Sequence, residues 1–103
     1  FDGAFSHALR KVPKPGDFRV QEQFGASEIQ IEPDAEARGL AEHTLAALDA
    51  PPLYARVDLL RNNRGKLVLL ELEVIEPSLF LNCTQDGGAA FTAAVGRRLV
   101  AGT

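Results

Sequence analysis

The stretch Tyr54–Pro77, YARVDLLRNNRGKLVLLELEVIEP, decides how this chain is read. Asn62, Asn63 and Gly65 supply turn chemistry between two β-rich runs, so the flanking segments are expected to pair as an antiparallel hairpin. Side chains alternate across a strand with period two. Arg56 therefore shares a face with Asp58 on the first strand, and Glu71 shares a face with Glu73 on the second. A four-residue loop from Asn62 to Gly65 makes paired residue numbers sum to an odd value, and all four charged side chains then point the same way. Directly opposed Cβ atoms lie about 4.5–5.5 Å apart and diagonal ones about 7–8 Å, close enough for three carboxylates to share divalent cations. Leu67 to Leu70 before Glu71, and Val74 and Ile75 after Glu73, make the second strand resemble a buried one, where an uncompensated carboxylate is costly. A metal ion or Arg56 can supply the compensation. The group holds no histidine or cysteine, and an oxygen-only set suits magnesium or manganese better than zinc.

The 103 residues correspond to one small domain or a piece of a larger one, and a hydrophobic share of 46% is enough for a modest core. The formal charge of −3 provides no basic patch of the kind that binds nucleic acid, and no apolar run reaches the roughly 18 residues that span a bilayer. Neither nucleic acid nor membrane is an expected partner. Cys83 is the sole cysteine, which excludes an intrachain disulfide and fits a reducing compartment, so the expected location is cytoplasmic. The absence of methionine leads to the expectation that the chain is a fragment of a longer protein.

Outside the hairpin, Phe1 to Lys11 alternates in the manner of a half-buried strand until Pro13-Lys14-Pro15-Gly16 breaks it. A second strand is expected from Asp17 to about Phe24, and Ile29 and Ile31 mark a short extended piece. Asp34, after Pro33, suits a helix N-cap. Ala37, Leu40, Ala41, Thr44, Leu45 and Leu48 then recur at helical spacing until Pro51-Pro52 stops the helix. Pro77 to Gly88 reads as loop. Phe91, Val95 and Leu99 define a last helix over about 86–100, with Arg97 and Arg98 placed near its negative C-terminal end. The expected fold is α+β, an antiparallel sheet of about four strands with helices packed on one face.

Each remaining candidate has a plain structural reading beside a chemical one. Arg56 is either the salt-bridge partner of Glu71 or a cation that stabilises negative charge developing on a reacting oxygen or phosphoryl group. Arg19, in Gly16-Asp17-Phe18-Arg19, is either a solvated strand residue or a phosphate or carboxylate clamp suited to its planar guanidinium. His7 alternates with apolar side chains and reads as a satisfied, partly buried histidine, while His43 reads as a surface residue of the helix. Cys83, without a paired histidine motif, reads as inert. Arg10, Lys11 and Lys14 form a small basic cluster beside the Pro/Gly turn, solvated or approaching an anionic substrate.

The order of these pieces, FSHALRKVPKPGDFRVQ, a helix, YARVDLL and LLELEVIEPSLFL, resembles the C-terminal catalytic half of the ATP-grasp ligases. The likeness is strongest to the branch that holds prokaryotic glutathione synthetase and the ribosomal-protein glutamate ligases, and it covers nearly the whole chain. It implies an ATP- and Mg2+-dependent enzyme, with Mn2+ as an alternative, that joins a small carboxylate to an amine through an acyl phosphate. The family's metal ligands map to Asp58, Glu71 and Glu73, so that Glu71 also serves the bound ATP. Arg56 maps near the acyl phosphate and tetrahedral intermediate, and Arg19 beside the phosphates or substrate. Glu73 stands where the family usually has asparagine, and Gln21 stands where it has another asparagine. Glu76, before Pro77, falls near the expected amine. The resemblance further implies that residues 1–103 are the C-terminal subdomain of an ATP-grasp domain whose nucleotide-binding partner subdomain lies upstream. The remainder of its own chain is then the expected partner, and the piece alone is expected to have little activity. Two other readings stand beside it. One is a non-catalytic α+β module that keeps the fold and uses the acidic face for ions or a partner protein. The other is an interaction domain in which Arg56, Asp58, Glu71 and Glu73 form a structural ion-pair network.

Overall fold

The computed structural model describes residues 1–12, 16 and 27–101. Along them run β1 (Ala8–Val12), β2 (Ser27–Ile31), α1 (Ala35–Ala46), β3 (Arg56–Arg61), β4 (Leu67–Glu73), a 3-10 turn at Leu81–Cys83, and α2 (Ala89–Val100). The architecture is α+β with antiparallel pairing, as expected. Among the described residues the four strands form two two-stranded sheets, β1 with β2 and β3 with β4. The strand expected over Asp17 to Phe24 lies outside the described residues. The short extended piece around Ile29 and Ile31 is the partner of β1, in register from Ala8↔Ile31 to Val12↔Ser27.

Asn62 builds the turn of the β3–β4 hairpin. Its carbonyl accepts from the Gly65 N–H and its own N–H donates to the Lys66 carbonyl, both at 2.9 Å. Its side-chain Oδ1 accepts from the N–H groups of Arg64 and Lys66, at 2.9 and 3.0 Å. Gly65 sits at φ 77, in the left-handed region that glycine enters without a Cβ penalty. The loop is therefore three residues, Asn63 to Gly65, where four were expected. That difference changes the parity of the ladder. From Arg61↔Leu67 to Leu59↔Leu69 the paired numbers sum to 128, and at that parity Asp58 would oppose Leu70 while Glu71 turned to the other face. A bulge at Leu70 places one extra residue in β4. Beyond it the pairs are Asp58↔Glu71, Val57↔Leu72 and Arg56↔Glu73, with numbers summing to 129. The four charged side chains share a face, by a route the loop length alone would not have produced.

The local chemistry of α1 is simple. Asp34 Oδ1 accepts from the Ala37 N–H at 2.8 Å, satisfying one of the donors that a helix start leaves open. Ala37, Leu40, Ala41, Thr44, Leu45 and Leu48 are all half-buried, and the other residues from Ala35 to Ala47 are exposed. This stripe packs on β3 and β4. Arg61 adds an ion pair with Glu36 at 2.8 Å, tying the outer end of the hairpin to the first turn of the helix.

Helix α2 begins at Ala89, three residues later than expected. Asp86 accepts from the Gly88 N–H at 2.9 Å and the Ala90 N–H at 3.0 Å, so it caps from outside the helix, with Gly88 at φ 90 between. Ala94 is completely buried, and the Phe91 ring meets Phe1 at a centroid distance of 5.2 Å. Arg97 and Arg98 do lie in the last turn, but they spend their charge on Asp2, at 3.2 and 2.9 Å. Leu99, expected on the packed stripe, is 68% exposed.

Burial is shallow throughout. Ala94 is the only fully buried apolar residue among those described, and Leu60, Leu70 and Ile75 keep 52%, 59% and 83% of their surface in solvent. The radius of gyration is 14.8 Å, against about 13 Å for a compact domain of this length. The modest core expected from composition is thinner than the apolar content allows.

Two outcomes follow from these local devices. Asp34→Ala removes the N-cap acceptor and should lower unfolding stability by about 1 kcal/mol, while Asp34→Asn should cost only a few tenths, as read by chemical denaturation. Deleting Leu70 removes the bulge and brings Glu71 next after Leu69 in the ladder. Backbone cross-strand NOEs between Asp58 and Glu71 should therefore survive the deletion, and their loss would show that the hairpin register is set by something other than this bulge.

Candidate functional site

Arg56 opens β3, and the β period brings Asp58 onto the same face two residues later. The guanidinium reaches along the strand and makes a bidentate contact, Nε to Asp58 Oδ1 and one terminal nitrogen to Oδ2, each at 2.9 Å. The same terminal nitrogen lies 3.3 Å from Glu73 Oε2, the residue directly opposite Arg56 in the ladder. The other terminal nitrogen donates to the Ser78 carbonyl at 3.2 Å. The Phe80 ring lies beneath the guanidinium, with Arg56 Cζ 5.7 Å from its centroid, and Lys11 Nζ of β1 stands 5.0 Å from the same centroid. A planar fork suits this set of contacts, which a lysine ammonium would not reproduce.

The side chains of Arg56, Asp58 and Glu73 are 20%, 21% and 30% exposed, so the pair is only partly screened by water. Burial opposes the Arg56 charge. The hydrogen bond and charge of Asp58, with the charges of Glu73 and Glu71, more than offset it and raise the guanidinium pKa. Glu71, opposite Asp58 and exposed, shows the converse. A proton shared with Glu73, and the negative charge of that neighbour, hold its carboxyl above the usual glutamate range; Asp58 adds to the effect and Arg56 opposes it. One cation thus faces three carboxylates, and the excess negative charge falls at Glu71 and Glu73.

All four hairpin residues expected at the site come together on one face. Arg56 pairs most closely with Asp58 and then Glu73, rather than with Glu71. Among the described residues, no group of three or more histidine, cysteine, aspartate or glutamate side chains is arranged around a common metal position. Asp58 turns both oxygens to the guanidinium instead. The donor set nevertheless fits a hard divalent cation in kind: it is all oxygen, and the Glu71–Glu73 repulsion is what such a cation would relieve. Arg19 and Gln21 lie outside the described residues.

His7 is satisfied and half-buried, as its alternation with apolar residues suggested. One ring nitrogen lies 2.8 Å from Ser6 Oγ and the other 2.8 Å from the Leu79 carbonyl. His43 is exposed and Cys83 half-buried. Glu76, placed by resemblance near an amine, is exposed at φ 48, and its N–H donates to the Tyr54 hydroxyl at 3.1 Å. Sequence reasoning missed Phe80, Ser78 and Lys11 as neighbours of Arg56. A loop aromatic and a loop carbonyl carry no periodic signal, and Lys11 was read only as part of a basic cluster. A groove of about 640 Å³ runs beside the site, with Lys11, Arg56, Asp58 and Phe80 among its wall residues.

No protein-family model matches the chain. Over 106 aligned residues it is 36% identical to the cycloserine biosynthesis protein DcsG of Streptomyces lavendulae, an alignment that takes in 96% of this chain and 36% of that protein. It also superposes on the crystal structure of D-cycloserine synthetase DcsG with a TM-score of 0.78, again at 36% identity and over 96% of this chain and 36% of that one. The chain thus spans about a third of the length of the protein it matches. No helix among the described residues is long and apolar enough to cross a membrane.

The carboxylate repulsion has a measurable consequence. Because the folded state holds the Glu71 proton more tightly than the unfolded state, stability falls as pH rises from the ordinary glutamate pKa of about 4.3 through the raised one. Glu71→Gln should therefore raise the thermal midpoint at neutral pH in metal-free buffer, and the gain should fade below about pH 4. A midpoint difference that does not change with pH would show that the two glutamates do not repel each other.

Proposed function

We propose that this chain belongs to an ATP-dependent ligase that joins a carboxylate to an amine, and that the β3–β4 hairpin is the part of its active site that handles phosphoryl charge. Support comes from one observation above the rest: a half-buried guanidinium flanked by three carboxylates on a single hairpin face, in a chain 36% identical to a synthetase over nearly its full extent. The ATP-grasp resemblance of GDFR, RVD and ELE points to the same chemistry.

In this reading a carboxylate oxygen displaces ADP from the γ-phosphorus of ATP, forming an acyl phosphate. The amine nitrogen then attacks the acyl carbon and gives up a proton to solvent, and the tetrahedral intermediate expels phosphate as its C–O bond breaks. Arg56 meets the negative charge that gathers on the transferred oxygens, the kind of stabilisation on which phosphoryl transfer mainly depends. Asp58, Glu71 and Glu73 would hold magnesium or manganese, which when bound neutralises the triphosphate. Asp58 has a second duty, since its bidentate contact orients Arg56. Lys11, beside the groove, adds positive charge where an anionic substrate would lie, and Arg19 is assigned to the phosphates on resemblance alone. Cytoplasmic location and the remainder of an ATP-grasp chain as partner belong to the same proposal.

The closed contact of Arg56 with Asp58 and Glu73 favours a second reading, in which the group is a structural ion-pair network in a non-catalytic module. The two differ in what they require. Replacing a buried ion-pair group with apolar residues is often neutral or stabilising if its role is structural. A ligase loses turnover with the same change.

The deciding measurement is ADP release by the full-length protein with ATP, magnesium and a pool of amino acids and small carboxylates, comparing wild type with Glu71→Gln. Substrate-dependent release that falls by a factor on the order of 100 in the variant is the expected result, in line with losing a group that positions phosphoryl charge. Release that the variant leaves unchanged would remove Glu71 from the site. Negligible release from both proteins, with no magnesium-dependent rise in thermal midpoint, would favour the structural network.

A further inference from the structure

We propose that Phe80 is a positioning residue that sets the direction of the Arg56 guanidinium, and that the segment 76–80 is a strap pinned to hold it there. The observation that carries this is a convergence of four anchors on five residues. The Glu76 N–H donates to the Tyr54 hydroxyl at 3.1 Å, the Ser78 carbonyl accepts from Arg56 at 3.2 Å, the Leu79 carbonyl lies 2.8 Å from a His7 ring nitrogen, and the Phe80 ring takes both Arg56 and Lys11.

Two residues of the strap pay for this path in backbone conformation. Glu76 at φ 48 and Phe80 at φ 50 both sit in the left-handed region, which is uncommon for any residue with a Cβ and an outlier for a bulky one. Strain of this kind persists only where surrounding contacts over-determine it, and it gathers at functional sites. Here the contacts are the four anchors. A leucine or glycine would satisfy packing or backbone alone at position 80, whereas an aromatic ring also presents a negative face to a cation.

The geometry explains why the ring is needed. The bidentate contact with Asp58, shared by Glu73, fixes the guanidinium within its own plane and leaves the tilt of that plane about the contact open. The Ser78 carbonyl fixes the remaining terminal nitrogen, and the Phe80 ring limits the tilt of the plane. Lys11, held on the same ring, lies on the wall of the groove with Arg56, so the aromatic ring sets the spacing of two cations that come from different sheets. The catalytic consequence rests on the ligase reading given above; the positioning itself does not.

The test is made on the full-length protein and has a readout independent of turnover. In wild type, the Arg56 Nε–H resonance, assigned by its disappearance in Arg56→Lys, should show NOEs to the Phe80 ring protons and an upfield ring-current shift. Phe80→Leu, which keeps the bulk and loses the π face, should remove the shift, and Phe80→Tyr should restore it. If the ligase reading also holds, kcat should fall by a factor on the order of 10 to 100 in Phe80→Leu with KM little changed, and should recover in Phe80→Tyr. Absence of the NOEs in wild type would overturn the inference even if Phe80→Leu failed to fold. So would an Arg56 resonance that Phe80→Leu leaves in place. A ring-current shift that responds as expected, in a protein with no ADP release, would uphold the positioning while defeating the ligase reading.

Discussion

The Arg56 guanidinium is the constraint on which the rest of this structure turns. A guanidinium whose side chain is largely withdrawn from water must find partners, and Asp58 and Glu73 of the same hairpin supply them. The arrangement is asymmetric. Asp58 takes the guanidinium in a bidentate grip, Glu73 shares it, and Glu71 is left outside with a proton held more tightly than glutamate ordinarily holds one. Structural and chemical roles are joined in that asymmetry: the inner pair organises the hairpin, and the outer pair carries negative charge toward solvent, where a cation or a phosphorylated substrate would meet it.

Much of this was legible in the residues. Strand alternation placed Arg56 with Asp58 and Glu71 with Glu73, and helical spacing picked out the five half-buried positions of α1, with Leu48 just beyond it, together with its Asp34 cap. These are local signals, in which period or capping chemistry decides the outcome within a few residues. The facing of the two strands was anticipated for an incomplete reason. The loop is one residue shorter than expected, and the Leu70 bulge makes up the difference, so two one-residue departures cancel at the site. Neither leaves a mark in a single sequence. The partners of Arg56 beyond the hairpin were also hidden, since Ser78 acts through its carbonyl and Phe80 through a left-handed backbone that nothing in LFL announces. For His7, alternation indicated burial but not that its second partner would be a residue 72 positions away.

The thin core sets the energetic context. With Ala94 the one buried apolar side chain among the described residues, apolar burial contributes less here than the composition permits. Local devices carry a correspondingly larger share: the Asn62 turn, the Asp34 and Asp86 caps, and the double contact of Asp2 with Arg97 and Arg98 that links the first residues to the last helix.

The Leu70 bulge also bears on how the hairpin finds its native pairing. It divides the ladder into a turn half, whose register Asn62 dictates, and a far half, whose register the turn does not transmit. A one-residue slip of the far half would leave the Asn62 turn untouched. In the slipped state Arg56 would face Leu72 and Asp58 would face Leu70, with Glu71 and Glu73 turned to the opposite face of the hairpin. That state separates the cation from Glu73, the carboxylate opposite it in the native register. The charged quartet thus favours one strand alignment over its one-residue neighbour, because only the native pairing keeps Arg56 both beside Asp58 and opposite Glu73.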